Sequence, residues 1–288
     1  MRIFTTLLVC LLLCSCNEPE HVPHGSVLTK SLKSVILNRE IGYNMYLPAS
    51  FNEEQPLLDI IYLLHGHGGD HHDWFEEEEG NVAHLLDSLI ADGAIPPMAA
   101  VSINAGNSWY VDSKEKMERF YLDEFLPHFE KSVGYKHKLG NRNMAGNSAG
   151  GYGALRFSLH RSELFNSVIL LSPAAYEPLP PAISSSRKVE AFAFNGKFSD
   201  SLWRSYSYTK RIDELLLANK RPQFHISVGD DDNYNIVPVV TSLQQLFLKN
   251  GVSCELRVTN GGHDWQTWRK NFSEALAEVY KSKTASAN

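Results

Sequence analysis

The chain has 288 residues, a hydrophobic fraction of 43% and a charged fraction of 21%, a balance that supports a sizeable buried core without disulfides or metals. Its formal charge of −6 argues against nucleic acid as a partner, because phosphate binding needs a basic surface. Three of the four cysteines, Cys10, Cys14 and Cys16, fall at the N-terminus, and only Cys254 lies in the body. A single body cysteine excludes an intradomain disulfide. It opens the alternating run Cys254-Glu255-Leu256-Arg257-Val258 and reads as a buried structural thiol.

Arg2 and the apolar stretch Ile3 to Leu13 read as the n- and h-regions of an export signal, too short for a stable membrane span. Leu13-Cys14-Ser15-Cys16 resembles a bacterial lipobox, which implies cleavage after Ser15, a lipid on Cys16 and an exported lipoprotein of the cell envelope, bound to the membrane by that lipid. The polar residues that follow read as a tether. The expected organisation is a signal peptide over 1–15, a tether over 16–30 and a single catalytic domain over 31–284.

Within the body, Ser34 to Leu47 alternates like a β-hairpin turning at Asn38-Arg39-Glu40. Leu58 to Leu64, Met98 to Ile103, Ser167 to Leu171 and Gln223 to Val228 are short apolar runs suited to strands buried on both faces. Helical patterns separate them over Asn81 to Ala91, Lys114 to Ser132, Ala149 to His160, Val237 to Asn250 and Trp265 to Lys281. Asn250-Gly251 is a helix stop. The alternation predicts an α/β chain with a mostly parallel central sheet and helices on both faces. Pro173 to Asp213 breaks the rhythm with prolines, then serines, then aromatics, and is expected to form a small cap-like insertion.

The chemical signal is Gly146-Asn147-Ser148-Ala149-Gly150. A G-x-S-x-G pentapeptide between a strand (Arg142 to Ala145) and a helix is a nucleophile elbow, whose small neighbours let a strained serine project at a helix N-terminus. A serine hydroxyl needs a base, and two histidines follow that helix. His225 sits mid-strand and reads as packed; His263 sits in the loop Asn260-Gly261-Gly262-His263-Asp264, where a base belongs. The acid is expected after the strand Gln223 to Val228, in Gly229-Asp230-Asp231-Asp232. The Gly-x-x-Asp spacing selects Asp232, with Asp230 and Asp231 remaining open. Ser, then Asp, then His is the chain order of the α/β-hydrolase fold.

His65-Gly66-His67-Gly68-Gly69 resembles the glycine-rich segment after the third strand of esterases. The resemblance implies that the N–H groups of His67 and Ala149 form the oxyanion hole. The nearby His65, His67, Asp70, His71, His72 and Asp73 lack the spacing of a standard zinc motif, and no metal or organic cofactor is expected. Glu76 to Glu79 reads as a solvated face. Trp109 and Tyr110 fall on a loop at the carboxyl ends of the strands, where they either line the substrate cleft or pack in the core or at its rim, and Tyr152 is equally open between the cleft and packing on the sheet.

Taken with Ile61 to Gly66, Ser108-Trp109-Tyr110, Arg142 to Gly153, Leu171-Ser172-Pro173 and Gly261 to Trp265, these features resemble the putative-esterase family. That family includes esterase D, tributyrin, feruloyl and acetylxylan esterases, siderophore trilactone esterases and mycolyltransferases. The chain looks most similar to tributyrin-esterase and enterochelin-esterase-like members; Asn147 stands where many members carry other residues. The resemblance implies an α/β-hydrolase fold and hydrolysis of a small-molecule or carbohydrate ester, such as an acetyl, feruloyl or siderophore-type ester. Two other readings compete: an acyltransferase using the same triad, and an envelope binding protein with an inactive site.

Overall fold

Leu58–Leu64 forms strand β3, in which every residue is buried. Ile60, Tyr62 and Leu64 point into one core and Ile61 and Leu63 into another. A strand covered on both faces needs apolar side chains at consecutive positions, and this is why the run has no polar alternation. The computed structural model describes residues 23–52, 57–134 and 137–285. The expected signal peptide, Cys16 and the first part of the tether lie outside them.

In chain order the elements are β1 (Ser26–Ser34), β2 (Arg39–Leu47), β3, α1 (Val82–Ala91), β4 (Met98–Ile103), α2 (Met117–Arg119), a π-helical turn (Phe120–Phe125), α3 (Leu126–Gly134), β5 (Leu139–Asn147), α4 (Ala149–His160) and β6 (Ser167–Leu171). The insertion carries the small hairpin β7 (Ala193–Phe194) and β8 (Lys197–Phe198), then α5 (Asp200–Ser205) and α6 (Ile212–Leu217). β9 (Gln223–Gly229), α7 (Ile236–Lys249), β10 (Cys254–Thr259) and α8 (Trp265–Ala285) complete the chain. The main sheet runs β1-β2-β4-β3-β5-β6-β9-β10. β1 and β2 are antiparallel to their neighbours, and the pairs from β4 to β10 are parallel. This is the α/β-hydrolase arrangement expected.

Register aligns the carboxyl ends. Leu64 pairs with Gly146, Asn147 with Leu171, Leu171 with Ser227, and Gly229 with Thr259. The loops that begin at His65, Ser148, Ser172, Asp230 and Asn260 therefore leave one edge of the sheet together, where ligands of α/β proteins bind. α4 and α7 cover one face; α1 and α8 cover the other.

The N-terminal hairpin departs from expectation. Its first strand is Ser26–Ser34 and its turn is Val35 to Asn38, with Asn38 at φ 51°. Glu124 holds this turn: its carboxylate accepts from the Ser34 hydroxyl at 2.7 Å and from the N–H groups of Val35 and Ile36 at 2.7 and 3.1 Å. Residues 26–30, expected in the tether, are strand paired with β2. That edge strand is almost wholly exposed, so its sequence carries no inward-facing apolar pattern. The expected helix over Lys114 to Ser132 is two helices joined by the π-helical turn.

The insertion is folded and fastened from beneath. Arg156 of α4 is 1% exposed and Glu118 of α2 4%, and the guanidinium donates to that carboxylate at 2.8 Å. Arg211, just before α6, lies 2.9 Å from the other Glu118 oxygen. Arg156 and the Tyr152 hydroxyl both donate to the carbonyl of Tyr206 in the insertion. Removing one member of a buried charged pair leaves the others unpaired and desolvated. Glu118→Ala is therefore expected to lower the unfolding free energy by about 3 kcal/mol or more, read from urea denaturation against the parent chain.

Candidate active site

β5 ends at Asn147 and α4 begins at Ala149, so Ser148 makes the whole connection. Its backbone is forced to φ 52°, ψ −115°, a conformation that costs an L-residue on the order of 1–3 kcal/mol. The turn is this tight because strand and helix touch. A Cβ on Gly146 would lie 2.3 Å from the carbonyl oxygen of Gly150, and one on Gly150 would lie 2.1 Å from that of Leu64. The Ser148 N–H donates to the carbonyl of Leu171 at 2.9 Å, and its own carbonyl accepts from the N–H of Ala174 at 3.0 Å. Both bonds lock the turn onto the end of β6.

His263 reaches Ser148 from the loop after β10. Its Nε2 accepts from the Ser148 hydroxyl at 2.9 Å, and its Nδ1 donates to Oδ2 of Asp232 at 2.7 Å. Asp232 has no exposed side-chain surface, and its second oxygen accepts from the N–H of Tyr234 at 2.9 Å. The imidazole is held between Tyr234, at 4.6 Å between ring centroids, and Trp268, at 5.0 Å. The Trp268 indole N–H donates to the Ser172 hydroxyl at 3.2 Å.

Of the three adjacent aspartates, Asp232 alone meets the imidazole. Asp230 is exposed and its carboxylate accepts from the N–H of Gly261 at 3.0 Å, which ties the acid turn to the histidine loop. Asp231 is exposed. His225 is buried in β9, 3.4 Å from Glu255, away from this cluster. Cys254 is half-buried, and burial pushes its thiol up to about 12.

The glycine-rich segment lies against the elbow: a Cβ on Gly66 would be 3.1 Å from the Asn147 amide nitrogen and 3.7 Å from Cβ of Ser148. His65 is fully buried, and burial holds its pKa down. The neutral ring donates from Nδ1 to the carbonyl of Gly66 at 2.8 Å and accepts from the N–H of Ala105 at Nε2, 3.2 Å. The N–H of Gly68 donates to the Asn107 side chain at 2.9 Å. Among the described residues, no group accepts from the N–H of His67 or of Ala149.

The cleft-lining reading of Trp109 and Tyr110 and the solvated reading of Glu76 to Glu79 need correction. Trp109 and Tyr110 are 2% and 1% exposed and do not line the cleft. Trp109 packs against Tyr152, Phe192 and Trp203, joining the insertion to α4, while the Tyr110 hydroxyl donates to the carbonyl of His65 at 3.1 Å. Both residues have positive φ, 53° and 58°. Glu76 to Glu79 is not uniformly solvated: Glu76, Glu77 and Glu78 are exposed, but Glu79 is half-buried and turns into the cleft.

That cleft, of about 330 Å³, is bounded by Ser148, His263, Asp73, Glu79, Tyr234 and Trp265. A second, of about 410 Å³, lies between the Ala105 to Ser108 loop and Lys188 to Ala191 of the insertion. His67 lines both. Burial, then the charges of Asp73, Glu76 and Asp70, raise the Glu79 carboxyl above its usual value. Among the described residues, Asp70, His71 and His72 are the one group whose metal-ligating atoms lie within 4.8 Å of one another; Asn44 already bonds Nδ1 of His72 at 3.0 Å.

A family model described as "Putative esterase" matches residues 34–279. The chain belongs to this esterase family. It is 28% identical over 250 residues to an acetyl esterase of Caldicellulosiruptor saccharolyticus, covering 78% of this chain and 84% of that one. It is 30% identical over 271 residues to an endo-1,4-beta-xylanase/feruloyl esterase of Xylanibacter ruminicola, covering 90% of this chain but only 32% of that longer protein. A solved ferulic acid esterase superposes with a TM-score of 0.72 at 28% identity, covering 91% of this chain and 98% of that one. An S-formylglutathione hydrolase of Agrobacterium tumefaciens shares the fold, with a TM-score of 0.66 at 17% identity over 91% of this chain and 96% of its own.

Sequence reasoning on this esterase missed Tyr234, Trp268 and Glu79. The signal for Trp268 was present: Trp265 and Trp268 stand three apart on the first turn of α8, on the side a helix shares with the preceding loop. The closeness of β5 and α4 has a direct test. Gly150→Ala is expected to cost more than ~2 kcal/mol of stability, because the clash is with backbone that cannot rotate away; thermal or urea unfolding measures it.

Proposed function

We propose that this esterase hydrolyses acyl esters of carbohydrates, with Ser148 as nucleophile, His263 as general base and acid, and Asp232 as the orienting carboxylate. The observation that carries the reading is the continuous chain of two hydrogen bonds, 2.9 Å from Ser148 to His263 and 2.7 Å from His263 to Asp232. A buried aspartate accepting from Nδ1 leaves the lone pair of Nε2 facing the serine, the tautomer a base requires. The resemblance and the three named esterases support ester hydrolysis, and the acetyl and feruloyl relatives support an acylated carbohydrate.

The sequence of events follows from those positions. His263 removes the Ser148 proton as Oγ attacks the ester carbonyl. The developing oxyanion is met by the N–H groups of His67 and Ala149, which have no acceptor among the described residues and belong to the segments that flank the elbow. His263 then protonates the leaving alcohol, water attacks the acyl-enzyme with the same imidazole as base, and the carboxylic acid departs. The left-handed backbone of Ser148 keeps Oγ at the mouth of the cleft throughout. Leu13-Cys14-Ser15-Cys16, outside the described residues, supports a lipid tether on Cys16 at the cell envelope.

Ser148→Ala is expected to lower kcat/KM by at least ~10³-fold on acetylated and feruloylated oligosaccharides, while retaining the parent fold by circular dichroism. Unchanged turnover would contradict the nucleophile. Among the three neighbouring aspartates, Asp232→Asn is expected to cost about 10³-fold or more in kcat. Asp230→Asn and Asp231→Asn should stay far closer to the parent, and steady-state rates of the three variants side by side decide the assignment.

A further inference from the structure

The cleft that holds Ser148 and His263 meets the second cleft at His67, and the chemistry of the leaving group assigns one side of it. During acylation the bond between the acyl carbon and the alcohol oxygen breaks, and the proton on Nε2 of His263 passes to that oxygen. The alcohol half of the ester must therefore lie against His263. The cleft on that side is lined by His263, Tyr234, Trp265, Asp73 and Glu79.

Two features of the His263 cleft point to the character of the alcohol. Trp265 is half-buried, braced edge-to-face by Trp74 at 5.2 Å and Trp268 at 5.3 Å, and such an indole offers a rigid apolar surface to the C–H face of a sugar ring. Beside it stand two carboxylates in different states. Asp73 is engaged, with Oδ1 accepting from the N–H of Asp70 at 2.9 Å. The Glu79 carboxylate, half-buried in the same cleft, has no hydrogen-bond donor or cationic partner among the described residues. A carboxylate is an acceptor only and takes up to four hydrogen bonds. The loop that carries it is pinned at Gly80, whose N–H donates to the carbonyl of Asp73 at 2.9 Å, and by Arg269 of α8, which donates to the carbonyl of Glu77 at 2.8 Å.

We infer that Glu79 is the specificity-determining residue for the alcohol half of the substrate, accepting hydroxyl hydrogen bonds from a glycosyl group that lies against Trp265. The inference rests on the carbohydrate-ester reading above and names the residue that enforces it. Nothing in this arrangement is needed for the proton relay, so Glu79 acts on which ester is chosen.

The test compares a feruloylated oligosaccharide with the methyl ester of the same acid, in the parent chain, Glu79→Ala and Glu79→Gln. The measured quantity is the ratio of kcat/KM for the two esters. That ratio is expected to fall about tenfold in Glu79→Ala, mainly through KM for the glycosyl ester, as for loss of a hydrogen bond to a charged group. Glu79→Gln, which keeps a carbonyl acceptor of the same shape, should retain part of the preference. A ratio unchanged within twofold, or a parallel loss on both esters, would overturn the inference while leaving the triad standing. So would a choline ester of the same acid that suffers more than the glycosyl ester, since the carboxylate would then be serving a cation. A parent chain that splits neither ester overturns the proposed function and this inference with it.

Discussion

The backbone of Ser148 is the constraint on which the rest of the site depends. A one-residue connection between a strand and a helix that touch is reachable only with positive φ, and here it stands at 52°. The contact beneath it tolerates no side chain: Gly146 approaches the backbone of Gly150, and Gly150 that of Leu64. These glycines bring α4 hard against β3 and β5, and the serine is then the only residue left to make the turn. Its strain is held by packing on both sides and by hydrogen bonds to the end of β6 and to Ala174.

Sheet register supplies everything else that must converge on that turn. The parallel strands end level, so the glycine-rich segment after β3, the acid turn after β9 and the histidine loop after β10 all open beside Ser148. Asp232 is buried, with one oxygen accepting from the N–H of Tyr234 and the other bonded to His263. The insertion contributes the far wall, and the Arg156–Glu118–Arg211 cluster keeps it seated on α4. Catalytic geometry and cap position thus share one helix.

How much of this the sequence disclosed follows from burial. β3, β4 and β6 were legible to the residue because strands covered on both faces are predominantly apolar, with at most one polar side chain each. β1 was not, since an exposed edge strand needs no such pattern. Ser148 and His263 stood out because few residue types can flank a strained turn or follow a terminal strand in a glycine loop. Asp232 was selected by spacing, but only the three-dimensional turn separates it from Asp230 and Asp231. Trp109 and Tyr110 stayed open between cleft and core because a loop position does not decide which way a side chain faces, and here both rings are buried. Glu79 misled. Four consecutive glutamates read as one solvated face, and the fold of the following turn at Gly80 carries the last of them inward.

The most direct measurement of the central claim is covalent. Native protein treated with a fluorophosphonate probe, then mapped by peptide mass spectrometry, is expected to carry a single adduct, on Ser148. Heat-unfolded protein should carry none, and on the proposed relay His263→Ala should label far more slowly. An adduct on a different serine, or ester turnover that survives complete labelling of Ser148, would contradict the account.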